Sequence, residues 1–245
     1  MLMLCMDLMA LDHSLEHKGK HSLDGVSPHL VVAVDGPAAA GKTTTCKALS
    51  RRFGLGYLES GRTYRIIAFE ALRRGLPPDN PVNVVDLCDE LLRESREQDL
   101  LTSGRYGSAD LRSPSVNVAV SDVARIHELR KRVTELVRLW ARHQGRCIVE
   151  GRDIGTVVFP AAPVKFYLTA SPEERARRRL GQEGGASYEE VLADVVRRDE
   201  ADMSRAVSPL VPADDAIVID TTTMDLEEVL ARMGAACERR SVTFS

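Results

Sequence analysis

Several things are scarce in this chain. Its five cysteines, Cys5, Cys46, Cys88, Cys147 and Cys237, lie far apart and form no C-x-x-C pair. That argues against a disulfide framework or a zinc site, and it fits a reducing cytosol. Aromatic residues make up only 4%, and the formal net charge is −3. Neither a stacking platform nor a basic stripe is present, so no nucleic-acid partner is expected. No apolar run approaches the roughly 18 residues that a membrane span needs, so no membrane partner is expected. The apolar start, Met1 to Met6, is cut by Asp7 and has no basic residues ahead of it. That pattern does not make a signal peptide. The remaining composition, 44% hydrophobic and 28% charged over 245 residues, is that of a globular protein. The length suits one α/β domain with appendages, or two small domains.

What is present centres on Gly36-Pro37-Ala38-Ala39-Ala40-Gly41-Lys42-Thr43. An apolar run, Leu30 to Val34, precedes it, and a helical pattern from Thr44 to Phe53 follows. A glycine loop of the form G-x-x-x-x-G-K-[ST] between strand and helix is a phosphate cradle. The glycines allow a tight turn that aims consecutive N–H groups at phosphate oxygens. The helix start adds the positive end of its dipole. Lys42 can reach the β- and γ-phosphates, and the Thr43 hydroxyl can ligate Mg²⁺.

Five strands are predicted, at 30–34, 56–58, 147–150, 164–169 and 216–220, with helices between them. That alternation predicts a parallel sheet covered on both faces. Ser60 reads as the N-cap of a helix running through Leu72, and Arg65 then sits near the carboxyl edge of the sheet, where open α/β folds bind ligands. Residues 84–95 read as helix, 96–115 as a loop or short hairpin, and 116–143 as one or two helices. The pair Arg152-Asp153, flanked by Gly151 and Gly155 at the end of the third strand, is well placed for a ligand. Ser171-Pro172-Glu173-Glu174 is a helix start, and its helix carries Arg175, Arg178 and Arg179 along one side. Glycines in 181–187 break that helix and suggest a mobile cover. The next helix begins near Tyr188 and brings Arg198, Asp202 and Arg205 onto one face. Residues 1–28 read as a mobile polar leader. His13, His17 and His21 would share a helical face there and could bind a metal, but the plain polar leader is the reading adopted.

Several separated segments resemble the bacterial cytidylate kinase family. Asp35-Gly36-Pro37 matches its phosphate loop, and Glu59-Ser60-Gly61-Arg62-Thr63-Tyr64-Arg65 matches its monophosphate segment. Gly151 to Pro160 carries its G-R-D signature intact, Leu168 to Arg179 its lid entry, and Arg198 to Leu210 its R-D-x-x-D-x-x-R segment. The resemblance spans about residues 30 to 235. It implies a P-loop NTPase-like five-stranded parallel sheet with helices on both faces. A helical monophosphate-binding insert near 60–143 and a lid near 172–190 would belong to one domain, 29–245. It also implies Mg²⁺-dependent transfer from ATP to CMP, and to dCMP, by a cytoplasmic monomer of pyrimidine nucleotide metabolism.

By the same resemblance, Gly36 to Thr44 with Arg175, Arg178 and Arg179 bind ATP, Thr43 holds the metal, and Lys42, Arg152 and Arg178 are catalytic. Arg65, Arg152 and Arg205 hold the CMP phosphate, with Ser60 beside them. Arg198 and Asp202 contact the ribose, and Ser121, Arg130 and Asp153 read the base. Glu59 stands where the family has Asp, and Arg62 where it has a small residue. The segment 181–187 is shorter and richer in glycine than the family's lid, and 96–112 is shorter than its hairpin insert. Two other readings remain: a P-loop kinase for another acceptor such as UMP, AMP or a non-nucleotide, and a non-catalytic nucleotide-binding protein. The intact G-R-D and R-D-x-x-D-x-x-R segments oppose the first, and the presence of Lys42, Thr43 and the lid arginines opposes the second.

Overall fold

A computed structural model describes residues 30–181, 187–205 and 207–240. The leader with His13, His17 and His21, and most of the glycine break after Gly181, lie outside the described residues. The elements run β1 (Leu30–Asp35), α1 (Lys42–Phe53), β2 (Gly56–Glu59), α2 (Ser60–Arg73), α3 (Pro81–Ser95), α4 (Pro114–Val123), α5 (His127–Gln144), β3 (Arg146–Gly151), β4 (Val164–Thr169), α6 (Pro172–Leu180), α7 (Tyr188–Met203), β5 (Ile217–Asp220) and α8 (Leu226–Arg239).

All five predicted strands are present, and they pair in parallel in the order β2-β3-β1-β4-β5. Side chains alternate across a strand, so central β1 feeds two cores. Val31 and Ala33 join residues of α2 to α5 on one face. Val32 and Val34 join α1 and α8 on the other. This double cover is why the strand reads as an unbroken apolar run. The phosphate loop leaves the carboxyl end of β1, between the ends of β3 and β4.

Local boundaries differ from expectation at the starts of three helices, α2, α3 and α4. Glu59, not Ser60, is the N-cap of α2, and its side chain makes no cap bond. Helix α3 starts at Pro81, ahead of the expected residue 84, because Asn80 caps it through the Val82 and Asn83 amides. Proline at the first helical position loses no bond that the helix needs. Residues 96–113 form no hairpin. They make a loop with one 3-10 turn, Asp110–Arg112, and the Asp99 carboxylate holds the Leu101 and Thr102 amides. The 116–143 pattern resolves into two helices, α4 and α5. The expected start at Ser171-Pro172 holds, with the Ser171 hydroxyl accepting from the Glu174 amide.

Candidate active site

The donor side is built on the phosphate loop. Gly36 has φ near +145°, and a Cβ there would lie 1.9 Å from the Leu168 carbonyl oxygen, so only glycine fits. Gly41, at φ +88°, is the N-cap of α1 and supplies no side-chain cap. The first amides of α1 are thereby left for an anion. Lys42 folds back and donates to the carbonyls of Gly36 (2.7 Å) and Pro37 (2.6 Å). Burial, with the nearby Arg152 charge, lowers its pKa from the ordinary lysine range. A cavity of about 450 Å³ opens beside the loop, walled opposite by Thr221, Met224, Leu226 and Val229. None of these four was singled out from the sequence, since a loop after an edge strand carries no motif.

The three lid arginines occupy three different settings. Arg178 lines the donor cavity and donates to the Thr221 hydroxyl (2.9 Å) and carbonyl (2.6 Å). Arg175 is buried and grips Asp199 with both terminal nitrogens, at 2.9 and 2.5 Å. It also reaches the Ala170 and Ala38 carbonyls, so it braces the loop from beneath. Arg179 pairs with Asp194 of α7. Asp199 and Asp194 thus draw two of the three toward α7.

Thr43 and Glu150 meet at the carboxyl ends of α1's loop and β3. The Thr43 hydroxyl donates to Glu150 Oε2 across 3.1 Å, and the Tyr57 hydroxyl donates to Glu150 Oε1. Burial pushes the Glu150 carboxyl up, and these hydrogen bonds oppose the shift. A hydroxyl and a carboxylate beside a phosphate cradle are hard oxygen donors of the kind that Mg²⁺ takes along with phosphates. The residues present therefore fit this ion. Glu150 and Tyr57 were missed as site residues, although a carboxylate ending the strand beside β1 was the signal available.

The acceptor side gathers at the same edge. Arg152 Nε donates to Asp202 Oδ2 at 2.7 Å, and Arg205 pairs with Asp202 Oδ1, so one carboxylate aligns two guanidinium groups. Arg65 Nη1 donates to Asn117 Oδ1 (2.5 Å) and the Leu111 carbonyl (3.1 Å). Burial and the nearby Arg112 lower its pKa. Ser60 Oγ would lie 2.6 Å from a Cβ at Gly151, which packs the α2 start against the arginine-bearing turn. Arg198 pairs with Asp194 at 2.9 Å, an acid four residues earlier on the helix being a favoured partner.

Arg130 Nη2 donates to Asp153 Oδ2 at 3.3 Å. The Arg130 guanidinium also lies over the Tyr64 ring, 6.0 Å from its centre. Its Nε is buried and has no hydrogen-bond partner among the described residues. Ser121 is exposed on α4 and is not drawn into this pair. Arg62, the departure from the family pattern, stays out of the pocket. It donates to the Leu101 (2.8 Å) and Tyr106 (2.7 Å) carbonyls and pins the short loop to α2. Among the described residues no cluster of three metal-binding side chains occurs, and no helix is long and apolar enough to cross a membrane.

Known proteins resemble this chain along most of its length. Residues 32–239 match the family model described as cytidylate kinase. A cytidylate kinase of Corynebacterium efficiens is 43% identical over 83% of this chain and 92% of its own. One from Mycobacterium leprae is 43% identical over 86% of this chain and 97% of its own. A crystal structure of an uncharacterized protein from Eubacterium ventriosum superposes with a TM-score of 0.50 at 12% identity, over 85% of this chain and 98% of that one, and shares the fold alone. The chain belongs to the cytidylate kinase family.

Proposed function

We infer that this chain transfers the γ-phosphoryl group of ATP to the phosphate of CMP, giving CDP and ADP, with dCMP as a second acceptor. The observation that carries this reading is the Arg130–Asp153 pair standing beside the Arg152–Asp202–Arg205 triad. Cytosine offers an amino donor at C4 and acceptors at N3 and O2. Asp153 receives the amino group, and Arg130, with its free Nε, donates to the acceptors. Uracil reverses the groups at C4 and N3 and leaves a buried partner unpaired, at a cost of about 1–3 kcal/mol.

The triad and Arg65 receive the monophosphate. Guanidinium forks bind phosphate oxygens two at a time and stay charged at every working pH. On the donor side the loop amides, Lys42 and Arg178 hold the ATP phosphates. Thr43 and Glu150 would hold Mg²⁺, which supplies charge neutralisation on the polyphosphate when bound. The transfer needs alignment and positive charge rather than a covalent partner. The positions of Lys42 and Arg152 favour such alignment, since the Arg152 charge lies near enough to lower the pKa of Lys42. A monomer acting in the cytoplasm, without nucleic acid, is part of the same reading.

The Arg152→Ala variant tests it. Transfer to CMP should fall by two to three orders of magnitude while ATP affinity stays within twofold. Unchanged turnover would remove Arg152 from the acceptor site.

A further inference from the structure

Asp35 ends the central strand, one residue before the phosphate loop, and it is buried at 3% exposure. Its register partners are Gly151 at the end of β3 and Tyr167 in β4. Its carboxylate does not turn toward the phosphate loop. Oδ1 accepts from the Ile154 amide at 2.8 Å, and Oδ2 accepts from the Gly155 amide at 2.7 Å. Those two amides open the short π-helical turn Ile154–Val158 that follows Arg152 and Asp153. A Cβ at Gly155 would meet Lys165 Cδ at 3.2 Å and Asp35 Oδ2 at 3.4 Å, so this turn packs closely on both side chains.

The residue at the N-cap of that turn is Asp153, and its side chain makes no cap bond. Aspartate is among the strongest N-cap residues, and left to local chemistry it bonds the second or third amide of its own turn. Here the second amide, Gly155, is already held by Asp35 from across the sheet, together with the first, Ile154. The Asp153 carboxylate pairs with Arg130 instead.

We propose that Asp35 is a specificity-positioning residue: by capping the Ile154–Gly155 amides it keeps Asp153 facing the base pocket and ties acceptor choice to the first residue of the donor loop. Asp35 touches neither nucleotide and acts through Asp153. The proposal rests on the reading of Asp153 and Arg130 as base-reading groups.

Asp35→Asn keeps the size but offers one acceptor oxygen, and it sets its amide against the other N–H. One cap donor is then free, and Asp153 turns back to take it. We expect kcat/KM for CMP to fall at least tenfold, mainly through KM, with UMP little changed and ATP affinity within twofold. The double variant Asp35→Asn/Asp153→Asn should be no worse with CMP than Asp153→Asn alone. Additive losses in the double variant, or wild-type selectivity in Asp35→Asn, would overturn the proposal. Amide hydrogen exchange at Ile154 and Gly155 gives a readout independent of substrate. Faster exchange in Asp35→Asn, with the sheet still protected, supports the cap, and unchanged protection overturns it. A wild-type enzyme without CMP preference would fail the proposed function instead, and the exchange result then decides the role of Asp35 by itself.

Discussion

The Thr43 hydroxyl and the Glu150 carboxylate, 107 residues apart in the chain, stand 3.1 Å from each other where the phosphate loop meets the end of β3. Replacing Glu150 with Gln keeps the volume and removes the charge. The Mg²⁺ concentration for half-maximal rate should rise about tenfold, and Tyr57→Phe should have a smaller effect of the same sign. Titrating Mg²⁺ at saturating ATP and CMP checks this, and chelation of the metal should abolish turnover in every variant. An unchanged Mg²⁺ response in Glu150→Gln would remove Glu150 from the metal site.

Lys42 bears a different signature. Burial and the Arg152 charge lower its pKa, so part of the population is neutral at mildly alkaline pH. A bound polyphosphate favours the charged form. ATP binding near pH 8.5 should therefore take up protons, and the uptake should vanish in Lys42→Ala along with phosphoryl transfer. Calorimetry in buffers of different ionisation enthalpy measures it directly. Proton release on binding would contradict the assignment.

Asp35 makes stability depend on pH. Burial raises its pKa from 3.8 to about 6, partly opposed by the Gly155 and Ile154 amides. A carboxyl with a raised folded value stabilises the fold below its unfolded pKa and loses that contribution as pH rises through the folded value. The shift corresponds to at most about 3 kcal/mol. Relative to Asp35→Asn, the wild type should lose stability between about pH 4 and 7. Urea unfolding at several pH values tests this, and parallel curves for the two proteins would contradict it.

Arg62 should matter for stability rather than chemistry. Its two bonds to the Leu101 and Tyr106 carbonyls pin the loop that follows α3. Arg62→Ala should cost roughly 1–3 kcal/mol and leave the kcat for CMP within about twofold. Thermal unfolding and steady-state rates separate the two. A large fall in kcat at unchanged stability would return Arg62 to the acceptor pocket.

These residues also show how far the sequence could be read. The central strands were legible because burial on both faces makes an apolar run, as at Val31 to Val34. The phosphate loop was legible because Gly36 and Gly41 are forced by backbone geometry, which leaves a fixed spacing in the chain. The destinations of charged side chains were not. Arg198 chose Asp194, Arg175 chose Asp199, and Arg62 chose two carbonyls some forty residues away. An arginine at a given position says that an anion or carbonyl is near, but which one depends on how the helices pack. Glu150 escaped notice for the converse reason: an acid ending the strand beside β1 is a signal too common to single out until Thr43 is set beside it.

One measurement bears most directly on the assignment as a whole: ADP release with ATP and Mg²⁺, offering CMP, dCMP, UMP, AMP and GMP separately. The Arg130–Asp153 pair and the Arg152–Asp202–Arg205 triad predict that kcat/KM for CMP exceeds that for UMP by at least tenfold, with dCMP next and the purines negligible. Equal rates with CMP and UMP, or a preference for a purine monophosphate, would contradict it.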